Sequence, residues 1–422
     1  MAENNRKIWD VAVIGGGPAG MMAAGRAAEL GSKVILIEKN DLLGKKLLLT
    51  GGGRCNLSNA EFNIRKFLAK YKDSDKFLFS TFAQFGIKET LDFFNSRKMP
   101  IKIEAENRVF PESNKSKSVL NVLIEYMKDG NVAVFSNSPV DEIIRDKYAI
   151  EAIRLKNGEK IKARFFILAT GGKSRPDTGS TGDGFLWLKK LGHTVVKPSA
   201  ALVPIIIKDD WVKKLSGLSL PDTRIKVFQF GKKQEMRTGK ILFTHFGLSG
   251  PVILNISKKI GELLKYGDVF LLLDIFPYFD CGKLDLKIQE IFAKQSNKKL
   301  KNCLGSLLPS AFTPIAIKMS GINPETFCHS INREERLRLG KIIKNMPMKI
   351  DKLLGVEKAI ITSGGAAPEE IDFKTMASRL FLNLYLVGDV LNIDRPSGGY
   401  SLQLCWTTGY VAGTSASIAL KK

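Results

Sequence analysis

The stretch Ile8–Glu38 reads IWDVAVIGGGPAGMMAAGRAAELGSKVILIE, and it decides the fold of the N-terminal part of the chain. Residues 8–14 are apolar except for Asp10 and predict a buried strand, which runs into the glycine-rich turn at residues 15–20. Residues 21–30 favour a helix, and residues 33–37 predict a second buried strand. Strand, glycines, helix and strand in this order predict a dinucleotide-binding βαβ unit.

Each part of this unit has a task in holding a dinucleotide. Gly15 permits the tight turn, Gly17 lets a pyrophosphate approach the backbone, and Gly20 lets the helix pack closely on the strand. The helix N-terminus presents free N–H groups and a positive dipole end to the phosphates. Glu38 ends the second strand, where an acid accepts the ribose hydroxyls and disfavours a phosphate on that ribose. The unit alone does not separate FAD from NAD.

Two later segments favour FAD. Residues 164–168 predict an apolar strand that runs into the Ala-Thr-Gly-Gly sequence at 169–172, which is similar to the ATG segment of flavoproteins with two dinucleotide-binding domains. Residues 382–387 predict another strand, and the Gly-Asp pair at 388–389 resembles the segment whose acid binds the ribityl chain of the flavin. The SGGYSLQ sequence at 397–403 then leads into a helix, whose N-terminus would stabilise negative charge on a reduced flavin ring. Each segment alone also fits a buried strand with a helix cap, but the ordered set favours a flavin.

Length and composition limit the remaining possibilities. A chain of 422 residues predicts two or three domains. Five scattered cysteines without a CxxC pair predict neither a metal site nor a disulfide framework, and they favour a reducing cytoplasm. The polar start leads directly into a strand, so we expect no signal peptide, and no apolar run is long enough to predict a membrane span.

Residues 50–59 read TGGGRCNLSN and are the most unusual stretch, because three glycines before Arg-Cys-Asn predict a loop that approaches a ligand closely. Together with THFGLSGP at 244–251, TSGG at 362–365 and the ending GDVLNID…SGGYSLQ at 388–403, this stretch resembles the BaiN/RdsA-like flavoprotein family, also called aminoacetone oxidase-like FAD-binding enzymes. The resemblance runs from about residue 8 to residue 413. One departure is Asp-Arg-Pro-Ser just before the paired glycines, where the family pattern has a Gly and a Thr.

The resemblance implies an α/β protein that binds FAD non-covalently in a Rossmann-like domain of the two-dinucleotide-binding-domain flavoprotein type. That domain is expected to be discontinuous, at 1–191 and 356–422. The inserted region at 192–355 is expected to hold a small β-barrel at about 192–276 and a mainly helical, basic part at about 277–355. The expected cofactor contacts are Gly15, Gly16, Gly17, Ala19, Gly20, Glu38, Lys39, Lys46, Gly52, Gly53, Arg54, Asn56, Val140, Thr170, Gly171, Gly172, Gly388, Asp389, Gly398, Gly399, Tyr400, Ser401 and Leu402.

The composition of the insert agrees with this division. Short apolar runs separated by Gly and Lys turns predict strands from about 195 to 275, and the pattern from 284 to 339 is helical, with Asn323-Pro324 as an expected helix start. The whole chain has a formal net charge of +23, and residues 192–355 contain 27 Lys and Arg against 14 Asp and Glu, a net charge of +13. The densest basic stretches, Lys298–Lys301 and Arg333–Lys344, are either a solvated helix face or a surface that contacts a phosphate backbone.

Few side chains qualify for proton chemistry beside a flavin. Cys55 lies in the flavin-facing loop, where it is either a proton donor or a small packing residue. His245 lies in the THFGLSGP block, and Tyr400 is placed near the flavin by similarity; both are candidates for binding substrate or for catalysis. His193 and His329 lie outside any motif and are expected to be structural.

Three functions remain open on the sequence. The first is reduction of a polarised C=C bond, with uridine in 23S rRNA as substrate, hydride added at C6 and a proton at C5. The second is a small-molecule enzyme, either an enone reductase of the BaiN type or an amine oxidase. The third is a flavin-carrying interaction protein without catalysis. The basic insert favours the first, because a polyanion requires a positively charged surface.

The electron donor is also open. The absence of CxxC and CxxxxC sequences after the first glycines argues against a disulfide reductase. No second GxGxxG with a strand-end acid follows, so NAD(P)H is expected to visit the flavin only transiently.

Overall fold

The computed structural model describes residues 8–355 and 361–421 and separates the chain into two compact units. The first unit comprises Met1–Ala200 and Ala359–Lys422, and the second comprises Ala201–Lys358. The sequence patterns place the first boundary at residue 191, whereas the first unit continues to Ala200. The reason is that Val195–Ala201 pairs with Ile361–Ala366 in a two-stranded sheet. This pairing keeps residues 195–200 with the first unit.

The strands of the described residues form five sheets, one of which is a closed barrel. In chain order they are β1 Trp9–Ile14, β2 Val34–Ile37, β3 Ser58–Asn59, β4 Ile101–Glu104, β5 Arg108–Pro111, β6 Ala133–Phe135, β7 Val140–Arg145, β8 Ile150–Leu155, β9 Lys160–Ile161, β10 Ala163–Leu168, β11 Val195–Ala201, β12 Ile205–Ile207, β13 Ser219–Gln229, β14 Lys232–Thr244, β15 Gly247–Ser249, β16 Phe270–Asp274, β17 Met346–Leu353, β18 Ile361–Ala366, β19 Ile371–Asp372, β20 Ala377–Ser378 and β21 Leu384–Leu386.

Both units contain α-helices. In chain order they are α1 Pro18–Glu29, α2 Lys45–Leu48, α3 Ile64–Leu68, α4 Asp75–Gln84, α5 Ile87–Ser96, α6 Ser116–Asp129, α7 Asp183–Lys190, α8 Asp210–Lys213, α9 Pro251–Leu263, α10 Cys281–Lys294, α11 Leu300–Cys303, α12 Thr313–Ser320, α13 Arg333–Lys344 and α14 Tyr400–Ala419. In the described part of the chain, no helix combines the length and the apolar character that crossing a bilayer requires.

The main sheet of the first unit has the order β19-β20-β21-β10-β1-β2-β6, and its five strands from β21 to β6 run parallel. The predicted strands at 8–14, 33–37, 164–168 and 382–387 are confirmed as β1, β2, β10 and β21. Residues 11–14 are all buried, as expected for a parallel strand covered on both faces. The sheet thus brings the carboxyl ends of β1, β10 and β21 to one edge, where open α/β sheets bind their ligands.

The last helix of the chain packs directly on the first one. A Cβ atom on Gly409 would lie 2.4 Å from the Ala19 carbonyl oxygen, and one on Gly413 would lie 2.4 Å from the Ala23 carbonyl oxygen. The two glycines, four residues apart, therefore let the backbone of α14 approach α1 closely. This contact holds the C-terminal segment beside the glycine-rich turn.

The second unit contains a closed barrel in the order β12-β15-β14-β13-β16-β17. The barrel is confirmed, but it extends beyond the predicted 192–276, because its last strand, β17, follows the helical part of the insert. Met346, Met348 and Ile350 are buried on one face of β17, which pairs with both β16 and β12. A helix, α9, also interrupts the strand-rich stretch.

The predicted helix start at Asn323-Pro324 is wrong. Gly321 has a left-handed φ of 70° and ends α12, and the Asn323 side chain accepts a hydrogen bond from the Glu325 N–H at 2.9 Å. This local side-chain bond competes with helix formation. The residues up to Ser330 form turns, with a single 3₁₀ turn at Cys328–Ser330.

A capping box defines the start of α13, and it gives a first prediction. The Asn332 side chain accepts from the Glu335 N–H at 2.9 Å, and the Glu335 carboxylate accepts from the Asn332 N–H at 3.0 Å. Asn332→Ala removes the cap, so we expect urea unfolding to show a loss of about 1 kcal/mol in the free energy of unfolding. Asn297→Ala, an exposed control, should change this free energy by less than about 0.5 kcal/mol. Equal effects of the two substitutions would contradict a stabilising cap.

Candidate cofactor site

A cleft with about 1190 Å³ of empty space, open solvent included, lies at the carboxyl edge of the parallel sheet. The strand ends meet there: the Gly15 N–H donates to the Ile37 carbonyl at 2.8 Å, and the Ala169 N–H donates to the Ile14 carbonyl at 2.9 Å. The residues that line the cleft are Ile14 to Ala19, Ile37 to Asn40, Leu42, Gly44 to Leu47, Thr50, Ser138, Val140, Ala169 to Gly171, Thr178 to Ser180, Asp183, Trp187, Val387, Asp389, Ser401, Leu402 and Cys405.

The carboxylate of Glu38 is fixed at one end of this cleft. The Gly16 N–H donates to Oε2 of Glu38 at 2.7 Å, while the backbone N–H and the side-chain amide of Asn40 donate to Oε1 at 2.8 and 2.7 Å. Three donated hydrogen bonds hold the two oxygens in place. The acid that the sequence places at the end of β2 is therefore oriented, buried and beside the glycine turn.

The three motif glycines have different surroundings. A Cβ atom on Gly20 would lie 1.9 Å from the Gly15 carbonyl oxygen, and one on Gly15 would lie 2.5 Å from the Ala169 carbonyl oxygen. Gly15 and Gly20 are thus required by packing. A Cβ atom on Gly17 would meet no protein atom within 4 Å, although Gly17 has an ordinary φ of −78° just before α1. The space beside Gly17 is open where a phosphate would meet the helix N-terminus.

Lys46 and Asp389, which line the cleft, form a charge cluster with the buried Arg395. The Lys46 ammonium is 3.3 Å from Oδ2 of Asp389, and the Arg395 guanidinium contacts the other carboxylate oxygen. Arg395 also donates to the Ile393 carbonyl at 2.7 Å and to the Ser401 hydroxyl at 3.0 Å. Burial opposes ionisation of Asp389, but the positive charges of Arg395 and Lys46 outweigh it and hold the pKa of this carboxyl below its usual value.

The loop at residues 50–56 borders open space but is tied down on one side. Gly52 and Gly53 have left-handed φ values of 65° and 86°, and a Cβ atom on either would meet no protein atom within 4 Å. The Arg54 guanidinium instead contacts Glu104 and stacks 4.2 Å from the centre of the Phe110 ring. The two glycines therefore leave room for a ligand, whereas Arg54 is engaged within its own unit.

Two buried polar atoms, one after β10 and one in the loop at residues 50–56, could form a hydrogen bond with a bound ligand. Oγ1 of Thr170 and Oδ1 of Asn56 have no hydrogen-bond partner among the described residues. A buried polar atom without a partner is costly, so each is a place for a polar atom of a bound molecule. Together with the orientation of Glu38 and the space beside Gly17, they show that the residues present fit an adenine dinucleotide such as FAD.

The three catalytic candidates have different surroundings. Cys55 is fully buried, and burial raises the pKa of its thiol to about 12, which keeps the thiol protonated. Whether Cys55 donates a proton or only packs stays a prediction. Tyr400 begins α14 with its ring 4.9 Å from that of Phe67, and burial raises the pKa of its hydroxyl. His245 is an exposed residue of the second unit, in the turn between β14 and β15. Tyr400 and His245 stay predictions.

The other two histidines have hydrogen-bond partners that explain them structurally. Nδ1 of His193 lies 2.8 Å from the Glu370 carboxylate, and Nε2 lies 3.0 Å from the Ser378 hydroxyl. Nδ1 of His329 lies 2.9 Å from the Ser296 carbonyl oxygen. In the described residues, no group of three or more His, Cys, Asp or Glu side chains could hold a metal ion.

The expected cofactor contacts divide into two groups, of which only the first lines the cleft. A Cβ atom on Gly172 would lie 2.4 Å from Oγ1 of Thr362, and one on Gly399 would lie 2.1 Å from the Ser58 carbonyl oxygen, so packing explains these two glycines of the second group. The first group is Gly15, Gly16, Gly17, Ala19, Glu38, Lys39, Lys46, Val140, Thr170, Gly171, Asp389, Ser401 and Leu402, and the second is Gly20, Gly52, Gly53, Arg54, Asn56, Gly172, Gly388, Gly398, Gly399 and Tyr400.

Sequence reasoning missed several residues of the site. Asn40 holds Glu38, Asp183 accepts from Lys39 at 2.8 Å, and Arg395 supplies the buried guanidinium. A signal for Arg395 was present, since residues 396–420 contain no charged side chain and an arginine at the start of such a stretch needs a partner. Nothing in the local sequence identifies Asp183 as the partner of Lys39.

The basic stretch Arg333–Lys344 does not present all its charges to solvent. The ammonium of Lys344 is buried 2.8 Å from the Asp274 carboxylate, and the Arg336 guanidinium donates to Asp285 at 2.7 Å. These two side chains hold α13 to its own unit. Arg336 and Lys344 therefore do not form part of a surface that contacts a phosphate backbone. For the other cations of this stretch the hypothesis stays a prediction.

Comparison with known proteins agrees with this site. The HI0933-like protein Rossmann domain family matches residues 9–415. The 3-dehydro-bile acid Δ(4,6)-reductase of Clostridium scindens is 27% identical over 96% of this chain and 98% of its own. The ribosomal RNA dihydrouridine synthases of Escherichia coli and Haemophilus influenzae are 26% and 28% identical, over 95% and 96% of this chain and 96% and 98% of their own.

Solved structures show the same fold at low sequence identity. The open conformation of a flavocytochrome c3 fumarate reductase superposes with a TM-score of 0.56 at 16% identity, over 98% of this chain and 79% of its own. The 3-ketosteroid Δ1-dehydrogenase of Sterolibacterium denitrificans gives a TM-score of 0.55 at 13% identity, over 98% of this chain and 100% of its own. The chain belongs to the HI0933-like Rossmann family and is an FAD-dependent oxidoreductase.

Proposed function

We propose that this chain adds hydrogen across a polarised C=C bond, with uridine in 23S rRNA as its substrate. Over nearly its whole length it is similar to two proteins described as ribosomal RNA dihydrouridine synthases and to a third described as a Δ(4,6)-reductase. The reaction shared by these descriptions is saturation of a C=C bond. The observation that carries the proposal is the cleft that combines an oriented Glu38 with open space beside Gly17, because this reaction needs a bound flavin.

The residues of the first unit would hold FAD non-covalently at several points. Glu38 would accept the adenosine ribose hydroxyls, the N-terminus of α1 at Gly17 would bind the phosphates, and the cluster of Lys46, Asp389 and Arg395 would hold the ribityl part. Bound FAD supplies the hydride. NADH or NADPH would reduce it in a transient encounter, because the sequence has no second dinucleotide motif.

Charge supports RNA over a small substrate. The insert at residues 192–355 has a net charge of +13, and a polyanion is bound chiefly through such an excess. A substrate in the ribosome also agrees with the cytoplasmic location that the cysteine pattern favours.

A small-molecule reductase is the second candidate, and two observations favour it. The bile acid reductase is as similar to this chain as the rRNA enzymes are. Glu325 also binds both Lys299 and Lys301, at 2.7 and 2.5 Å, so these two lysines of the other basic stretch are paired. A small enone or an amine resembling aminoacetone would need no basic surface.

Mapping of dihydrouridine in 23S rRNA by mass spectrometry separates the candidates. In cells that lack this gene, we expect one modified site to disappear. Expression of the wild-type chain should restore that site, whereas Gly17→Ala should not, because its Cβ atom occupies the space left for the phosphates. A dihydrouridine map that is the same with and without the gene would contradict the rRNA proposal and direct the search to enones and amines.

A further inference from the structure

Two exposed aromatic side chains lie on neighbouring segments at one end of the barrel. Phe230 is 73% exposed at the tip of the β13–β14 hairpin, and Tyr266 is 75% exposed in the loop after α9. A Cβ atom on Gly267 would lie 3.1 Å from Cζ of Phe230, so the Phe230 ring rests beside this loop. The Gln229 side-chain amide donates to the carbonyls of Leu263 and Gly267 at 2.8 and 3.1 Å, which fixes the hairpin tip to the loop.

The backbone at the tip is strained for the residue that it carries. Gln229 pairs with Lys232, so Phe230 and Gly231 form a two-residue hairpin loop, and their φ values are 50° and 72°. Such loops prefer Asn-Gly, because both central residues need a positive φ. A bulky side chain with positive φ is an outlier, and Phe230 buries little surface in return. The side chain therefore points to a role other than stability.

Three lysines lie within three residues of these two aromatic residues in the sequence. Lys232, Lys233 and Lys265 are exposed, and none has a carboxylate within 4.0 Å among the described residues. They differ in this from Lys349 on β17, which pairs with Asp268 at 2.5 Å. The tip thus combines unpaired positive charge with flat apolar faces, and we call Phe230, Lys232, Lys233, Lys265 and Tyr266 the hairpin patch.

We propose that the hairpin patch binds a single-stranded segment of RNA, with bases stacked on Phe230 and Tyr266 and phosphates at the three lysines. Proteins that bind single strands combine aromatic faces, on which bases stack, with basic side chains along the backbone. The choice of RNA rests on the proposed function. The patch adds to it a substrate-binding surface within the second unit that does not depend on the paired cations of α13.

The test uses the full FAD-loaded chain and a fluorescein-labelled single-stranded oligouridylate of about 12 nucleotides. Phe230→Asn should weaken binding at least about fivefold, since it removes one stacking face. Asn suits a left-handed turn position, so the melting temperature should not fall, which separates lost binding from lost folding. Tyr266→Ala should weaken binding to a similar degree. Tyr148→Ala, at a 58% exposed tyrosine of the first unit, is the matched control and should bind as the wild type does.

The lysines are tested by salt dependence. Replacing Lys232 and Lys233 together by Gln should reduce the slope of log affinity against log salt concentration by about 1.4, the value for two contacts to a single strand. Lys160→Gln with Lys162→Gln, two exposed lysines of the first unit, should leave the slope unchanged. An unchanged slope for the first pair would contradict phosphate contact at the hairpin.

Several outcomes would overturn the patch itself. Wild-type affinity in both Phe230→Asn and Tyr266→Ala would do so. A second such outcome is that Phe230→Asn no longer binds vesicles of phosphatidylglycerol and phosphatidylcholine while its affinity for RNA is unchanged. The patch would then be a membrane contact. An unchanged dihydrouridine map with weaker RNA binding by Phe230→Asn would retain the patch and contradict only the proposed reaction. A modified site that is lost with the gene and restored by the wild-type chain, together with unaltered RNA binding by Phe230→Asn and Tyr266→Ala, would contradict only the patch.

Discussion

Gly17→Ala should leave the protein folded and remove most of its FAD. The position has an ordinary φ of −78°, and the added Cβ atom would meet no protein atom within 4 Å, so neither strain nor a steric clash opposes the substitution. The Cβ atom would instead enter the space at the start of α1. There it would displace a phosphate from backbone N–H groups, and each charge-assisted hydrogen bond lost costs about 1.5–3 kcal/mol. We expect the dissociation constant for FAD to rise about tenfold to hundredfold.

Titration of the apoprotein with FAD, followed by flavin fluorescence, measures this change, and circular dichroism tests the fold. Gly305→Ala is the matched control, because its Cβ atom also meets no protein atom within 4 Å but lies in the second unit. It should bind FAD as the wild type does. Gly20→Ala should behave differently from both, since its Cβ atom would lie 1.9 Å from the Gly15 carbonyl oxygen and would destabilise the fold. A full flavin content in Gly17→Ala would contradict phosphate binding at this turn.

The sequence predicts the βαβ unit well because its signals are local. The turn at residues 15–20 and Glu38 act within about one supersecondary unit, and their spacing alone states their tasks. The strands β10 and β21 could be predicted equally well, because a strand buried on both faces of a parallel sheet is a continuous apolar run in the sequence. Local signals also misled, as at Asn323, where a helix-start pattern is a turn closed by a side chain.

The features that sequence analysis missed depend on contacts between distant residues. The strand β17 joins a barrel whose preceding strand, β16, lies before four helices, so its apolar alternation does not reveal its partner. In the sequence Lys344 belongs to a basic stretch, yet its partner Asp274 lies 70 residues earlier in the chain. Periodicity indicates which face is buried but not which charge is neutralised on that face.

Arg395 gives the second large prediction, because it is the buried cation of a cluster that the sequence did not predict. Arg395→Ala would leave the partly buried Asp389 with Lys46 alone, at 3.3 Å, and would remove the donors to Ile393 and Ser401. Breaking a buried ion pair by removing one partner costs about 3–5 kcal/mol. Asp389 is partly exposed and keeps Lys46, so we expect a loss of no more than about 3 kcal/mol. Urea unfolding of the FAD-free protein measures it without a contribution from cofactor affinity.

Two further variants distinguish the buried charge from a general effect of arginine. Arg175→Ala removes a partly exposed arginine that pairs with Asp177 at 2.9 Å, and it should cost less than about 1 kcal/mol. Arg395→Lys keeps the charge but not the planar fork, so it should recover only part of the stability. A loss in Arg395→Ala no greater than that in Arg175→Ala would contradict a structural role for the cluster.

The pH dependence of stability provides an independent test of the same cluster. The folded-state pKa of Asp389 lies below its unfolded value, so its ionised form stabilises the fold above the unfolded pKa, and this stability is lost as the pH falls through the folded pKa. Without Arg395, burial is opposed by Lys46 alone, and the folded pKa must rise. Because Asp389 then has less pH-dependent stability to lose, the free energy of unfolding of Arg395→Ala should fall less on acidification than that of the wild type, and the difference between the two should narrow as the pH falls through the unfolded pKa. Urea unfolding at a series of pH values measures this, and a difference that widens toward acid pH would contradict it. Asp389→Asn in the same background should remove the contribution of this group to the pH dependence, because an amide does not titrate.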